Sequence, residues 1–203
     1  MNIWILFIIV VLIGYFLGSI SFAVIISKFY GIDILKAGSG SPGATNVKRV
    51  IGKNAGNLVF ILDFFKGTIA TAWPLILFLG ENLSFYLCLA GLIAAVIGHS
   101  FSIFLKFRGG KGIATTMGGI LILMPWSLLI GLIVWIFFFY ATRYVSLASL
   151  LFGLSLPISA IITRASQPQI ALSFVLTILI LLRHRPNIDR LLRGTENRFV
   201  KKS

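Results

Sequence analysis

Apolar residues come in long runs along this chain, and several of them reach the roughly 20 residues that span the hydrocarbon core of a bilayer without meeting a charge. The runs cover residues 3–26, 58–79, 83–105, 113–124, 126–140, 145–162 and 170–182, and each predicts a helix. The first lacks a basic leader and is too long for the apolar centre of a signal peptide, so it reads as a membrane helix. Short polar segments rich in glycine and lysine or arginine separate the runs.

Composition supports a membrane class. Of 203 residues, 58% are hydrophobic and 11% charged, with a mean hydropathy of +1.02, too apolar for a domain that keeps a polar surface. Lysine and arginine number 18 against five acidic residues, a net charge of +13. In a soluble protein that excess would point to nucleic acid. Here the cations sit beside apolar runs, as in loops retained on the cytoplasmic side, so no nucleic-acid partner is implied. The single cysteine, Cys88, lies inside an apolar run; it offers neither a disulfide framework nor a zinc site and reads as an inert core thiol.

The loops predict an orientation. Lys28, Lys36, Lys48, Arg49 and Lys53 follow the first run, Lys106, Arg108 and Lys111 follow the third, and seven cations occupy the tail from Arg183. The link near residues 80–83 carries only Glu81 and belongs outside, with the amino terminus. The stretch 112–182 must then begin and end on the basic side, which requires an even number of crossings. A break at Pro125, where proline removes a backbone donor and clashes with the preceding turn, gives four there and seven in all. The two pieces it creates are short for a full span, and their ends can be satisfied within the protein. A five-helix arrangement, with one kinked helix and one long one, keeps the same parity. The expected fold is an all-α, polytopic integral membrane helical bundle of about seven transmembrane helices. It forms a single domain over 1–203, with the amino terminus outside and the carboxyl terminus cytoplasmic.

Three segments carry candidate chemistry, all on the basic side. In the loop 37–49, Gly38, Gly40 and Gly43 let the backbone turn its amides toward one point, as a phosphate-binding nest does. Ser39, Thr45 and Asn46 add side-chain donors, and Arg49 can hold phosphate oxygens with two parallel bonds. The same composition also suits a plain turn between helices. The second segment runs from His99, Ser100, Phe101 and Ser102 to Phe107, Arg108, Gly109, Gly110, Lys111 and Gly112, followed by Thr115 and Thr116. It lacks the spacing of a Walker loop, yet amides, a lysine and hydroxyls at a helix start favour an anion. Arg108 and Lys111 also have an alternative reading as mere anchors of topology. In the third, Pro186 ends the last membrane helix and leaves His184 and Asn187 near the interface, either as site groups or as snorkelling polar residues.

Taken in order, the Gly-Ser-Gly…Gly-Ala-Thr-Asn loop, the Phe-Arg-Gly-Gly-Lys-Gly loop and the His-x-x-Asn-Ile-x-Arg-Leu…Gly-Thr-Glu tail resemble the PlsY family of bacterial acyl-phosphate:glycerol-3-phosphate acyltransferases. The resemblance covers essentially the whole chain. The stretch Thr142, Arg143, Tyr144, Val145, Ser146, Leu147, Ala148, Ser149 is also similar to the family's. Ser41 stands where the family usually has asparagine and Arg198 where it usually has lysine; both keep polarity or charge.

The resemblance implies transfer of a fatty acyl group from acyl phosphate to the sn-1 hydroxyl of glycerol 3-phosphate at the bacterial inner membrane, the first step of membrane phospholipid synthesis. Lysophosphatidic acid and phosphate are the products. Ser39, Thr45 and Asn46 with the amides of Gly38, Gly40 and Gly43 correspond to an acyl-phosphate cradle. Arg49, Lys111, His184 and Asn187 correspond to groups that gather the second phosphate and the attacking hydroxyl. Arg108, Gly109 and Gly110 belong to the second anion loop, and Ser149 and Glu196 are further substrate-binding candidates. Acyl phosphate is an activated mixed anhydride, so positioning and charge stabilisation suffice, and no covalent nucleophile, cofactor or metal is implied. The resemblance also suggests that substrate phosphate takes the hydroxyl proton, with His184 a positioned hydrogen-bond donor. By chance, His184 and Asp189 also have the His-x-x-x-x-Asp spacing of unrelated soluble glycerolipid acyltransferases.

Two other classes bear comparison. A transporter would place its binding groups near the midplane, where Asp63 and Lys66 at i, i+3 are the only ionised pair within a span and read as a structural pair. A phosphatidyl-transferring synthase would need clustered aspartates for a metal, which five acidic residues do not supply.

Overall fold

The structure is a computed structural model that describes residues 2–77 and 79–199. Among the described residues all regular structure is helical, and the chain divides into two compact units, Met1–Leu123 and Met124–Ser203.

The first unit opens with α1 (Ile3–Ser19) and α2 (Phe22–Phe29), which together form a membrane-length apolar rod broken at Ile20. Ser21 caps the second piece by accepting from the amide of Val24 at 3.4 Å. The break frees the Ile20 carbonyl, and the ammonium of Lys66 donates to it at 2.7 Å. A loop then leads to the short α3 (Ala44–Val50), followed by α4 (Lys53–Ala72), α5 (Glu81–Ser100) and α6 (Ile113–Leu123).

Small residues bring these helices together backbone to backbone. A Cβ on Gly18 of α1 would strike the Ala95 carbonyl of α5, and one on Gly67 of α4 would strike the Thr115 carbonyl of α6. Thr68 adds a bond from its hydroxyl to the Gly118 carbonyl at 3.0 Å. Close approach is the main source of association where no water is available to drive burial. Large apolar residues accordingly face outward, with Phe65 54% exposed, while Asp63 and Lys66 are 2% and 4% exposed.

The second unit contains α7 (Pro125–Thr142), α8 (Val145–Ile162), α9 (Gln167–Arg183) and α10 (Arg185–Leu192). Pro157 interrupts α8 and cannot bond the carbonyl of Gly153 one turn earlier. Thr177 of α9 supplies the missing donor, its hydroxyl reaching that carbonyl at 2.7 Å. The axes of α9 and α10 meet at 62°. Pro186 is the second residue of α10, so the last membrane helix ends at Arg183, just before it.

Each of the seven apolar runs is helical over most of its described residues. The run 113–140 is broken where Pro125 was expected to break it, with α6 ending at Leu123 and α7 beginning at Pro125. Among the described residues five helical segments are long and apolar enough to cross a membrane, and six if the bent pair of α9 and α10 counts as one span. The eleven residues of α6 reach about 16 Å, roughly half the hydrocarbon core.

Candidate functional site

The glycine-rich loop is shaped by one side chain. Asn46, 2% exposed on α3, accepts the Ser39 amide at 2.9 Å through its Oδ1 and donates through Nδ2 to the carbonyls of Ala37 at 3.0 Å and Ile34 at 3.4 Å. The expectation that its amide donates to substrate therefore changes: both kinds of polar atom hold the loop, and what Asn46 contributes is the loop's form. Gly38 has φ +59°, and a Cβ there would collide with Asn46 Oδ1, so glycine is required on two counts. Gly40 (φ +69°) also occupies the left-handed region. Gly43 begins α3 and accepts the amides of Asn46 and Val47 at 3.0 and 3.1 Å. By helix geometry the leading amides at Ala44 and Thr45 have no carbonyl of their own helix to bond. Ser39 and Arg49 are exposed and Thr45 half-buried around this end.

The second loop folds back on α5. Gly110 donates to the His99 carbonyl at 3.0 Å and Gly109 to the Ser100 carbonyl at 3.2 Å, so these two amides, expected to face an anion, close the end of α5. The loop's charges are Lys111, half-buried, and Lys106 and Arg108, both exposed. Thr115 and Thr116 are fully buried in α6 instead of lining an open helix start. A Cβ on Gly110 would lie 3.0 Å from the Pro42 carbonyl, so the first and second loops meet.

In the second unit, His184 is 2% exposed and its Nδ1 lies 2.8 Å from the Ile180 carbonyl. A carbonyl only accepts, so Nδ1 carries a proton and donates to it. Asp189 accepts from Arg193 Nε at 3.0 Å on the exposed face of α10. The nitrogen a histidine–aspartate dyad would use is thus engaged with Ile180. Asn187, 4% exposed, donates to Glu196 Oε1 at 2.9 Å, while its buried Oδ1 has no hydrogen-bond partner among the described residues. Glu196 also accepts from Arg190 Nε at 2.9 Å, so its carboxylate ties the tail to α10 with both oxygens. Ser149 is buried at the joint of α7 and α8, where it accepts from Trp135 Nε1 at 3.2 Å. The tail returns to the turn after α7: Phe199 donates to the Arg143 carbonyl at 2.8 Å, and Arg198 Nε donates to the Tyr144 hydroxyl at 2.9 Å with its guanidinium over the same ring.

The sequence reading passed over His99 as a site group. It is 8% exposed and lies against Gly110. A histidine in the last turn of an otherwise apolar helix, ten residues before a Gly-Gly-Lys turn, was the available signal.

The outward apolar residues and the buried polar groups define a polytopic, all-helical membrane protein, and its first glycine loop leads into the amides that open α3, with cations in both loops of the kind that hold phosphate. A sequence model described as glycerol-3-phosphate acyltransferase matches residues 8–194. Over 194 residues the chain is 44% identical to a glycerol-3-phosphate acyltransferase 2 of Bacillus anthracis, covering 95% of this chain and 99% of that one. It is 42% identical over 189 residues to a glycerol-3-phosphate acyltransferase of Aquifex aeolicus, covering 93% and 97%. The crystal structure of PlsY, an integral membrane glycerol 3-phosphate acyltransferase, in its glycerol 3-phosphate form superimposes with a TM-score of 0.89 at 38% identity, covering 96% of each chain. The lysophosphatidic acid form gives 0.87, also at 38% identity, covering 96% of this chain and 95% of that one. The chain belongs to the PlsY family of glycerol-3-phosphate acyltransferases.

Proposed function

We propose that this protein transfers a fatty acyl group from acyl phosphate to the sn-1 hydroxyl of glycerol 3-phosphate, releasing phosphate and forming lysophosphatidic acid, with the whole chain acting as one acyltransferase domain. The carrying observation is the pair of structures of one relative at 38% identity, in a glycerol 3-phosphate form and in a lysophosphatidic acid form, which are an acceptor and its acylated product. The meeting of the two glycine loops at Pro42 and Gly110 supports a site for phosphate.

The hydroxyl oxygen attacks the acyl carbonyl carbon, the bond from that carbon to the phosphate oxygen breaks, and phosphate leaves with the electron pair. The loop shaped by Asn46, with Ser39, Thr45 and the start of α3, cradles the acyl phosphate, whose leaving group needs only fixed positive partners. Arg49 and Lys111 neutralise phosphate charge, with Arg108 beside them. His184 and Asn187 orient the glycerol hydroxyls, the latter with its unpartnered Oδ1, and Glu196 positions Asn187. The hydroxyl proton passes to a substrate phosphate oxygen, so no covalent enzyme intermediate forms. Ser149, on α8, is a further substrate-binding residue in this reading. The protein lies in the bacterial inner membrane with seven crossings, the amino terminus outside and the glycine loops and tail cytoplasmic.

Purified protein given glycerol 3-phosphate and a choice of acyl phosphate, acyl-CoA or acyl-carrier protein is expected to turn over with acyl phosphate, and activity confined to the thioesters would reject the donor. Arg49→Ala and Lys111→Ala should each nearly abolish turnover without loss of helix content. Near-normal rates in both would leave these residues as anchors of topology.

A further inference from the structure

Nothing in the reaction above uses the most deeply buried charges in the chain, Asp63 and Lys66 of α4. Their atoms Oδ1 and Nζ lie 2.8 Å apart. Lys66 also donates to the Ile20 carbonyl at the break between α1 and α2, 2.7 Å away. A third ionisable group completes the row: His99 Nδ1 stands 3.7 Å from the same Asp63 oxygen. A buried ion pair contributes little net stability compared with apolar side chains of equal volume, so its presence is better explained by the geometry it enforces. Filling the break at Ile20 accounts for Lys66 but leaves the histidine unexplained.

The other edge of the His99 ring supplies the explanation. A Cβ on Gly110 would collide with its Nε2 and lie 3.0 Å from its Cε1. Main-chain bonds run alongside, from Gly110 to the His99 carbonyl at 3.0 Å and from Gly109 to the Ser100 carbonyl at 3.2 Å. Lys111 is the next residue after this turn. We infer that His99 is a positioning residue for Lys111, holding the turn at Gly109 and Gly110 in register through a buried row that runs from Ile20 through Lys66 and Asp63 to the imidazole. The inference rests on the reading above in which Lys111 holds a substrate phosphate. Because the Pro42 carbonyl packs on the other side of Gly110, the same ring sets the spacing between the two glycine loops.

The test joins turnover to a measurement that does not depend on it. His99→Ala should lower kcat/KM for glycerol 3-phosphate or acyl phosphate by about 10- to 100-fold, the scale expected when a group is displaced by roughly 1 Å. In hydrogen–deuterium exchange of the same protein in detergent, the amides of Gly109 and Gly110 should exchange at least about tenfold faster while α4 and α8 keep their protection. His99→Gln, which retains a polar side chain, serves where the alanine variant does not fold and should show both effects to a smaller degree. Turnover within about twofold of wild type would overturn the inference, as would lost turnover with unchanged exchange, since His99 would then act on substrate directly. Loss of protection throughout the helices in both variants would also overturn it and make His99 a folding residue. If the wild-type protein fails to transfer from acyl phosphate, the proposed reaction falls, and the exchange pattern alone decides whether His99 holds the turn.

Discussion

At the scale of single residues, what a side chain is and what it bonds to proved to be separate matters. Asn46 is read easily as a polar group in a glycine loop, but its amide is spent on Ser39, Ala37 and Ile34, contacts seven to twelve residues away that only the folded loop creates. Glu196 shows the same thing: a carboxylate would repel a phosphate, and here it clamps Asn187 and Arg190. For His184 and Asp189 the bonding sets an expectation. With Nδ1 on the Ile180 carbonyl and Asp189 on Arg193, Asp189→Asn should leave turnover within a few-fold of wild type. His184→Ala should cost about 10²- to 10⁴-fold, the range for a positioned group that handles a proton or its hydrogen bond. Equal collapse in the two variants, measured as kcat, would establish a dyad instead.

Elements follow the apolar runs closely because in a bilayer the backbone must bond to itself, which leaves the helix as the available form. The break at Pro125 was evident from its ring and missing donor, whereas the break at Ile20 carried no such mark and depends on Lys66 to satisfy the carbonyl. Pro157 is the opposite case, a proline that does not end its helix. Its tolerance comes from Thr177 donating to Gly153, so Thr177→Val should remove that bond and lower stability by about 0.5–1.5 kcal/mol, in line with hydrogen bonds between membrane helices. Unfolding in detergent would measure the shift, with turnover unchanged. No loss of stability would mean that the carbonyl finds another donor.

The whole molecule poses the question of crossings, since α6 is too short to span alone and five or six segments pass by length. Charge in the loops requires an odd number of crossings, and the break at Pro125 is the ground for the seven proposed above. In a background lacking Cys88, the sole cysteine, a cysteine at Thr142 should react with impermeant reagents from the cytoplasmic side and one at Gln167 from the outside. Reaction of the Thr142 cysteine from the outside would support five helices. The family resemblance was complete at this scale because the three motifs stand in order along the chain, and the matched region 8–194 contains the first two and the third as far as Gly194.

What the sequence determined by itself was class, helical segments, family and the candidate residues, because apolar run length, proline chemistry and motif order are local properties that need no neighbours in space. The tertiary structure alone decided which polar atoms are spent. The amides of Gly109 and Gly110 close α5, Asn46 shapes its loop, and Asp63 and Lys66 form a row with His99 from a distant stretch of chain. The reason is physical: a buried donor or acceptor must be satisfied by whatever group the packing brings within about 3 Å, and that partner is set by helix contact, not by position in the chain.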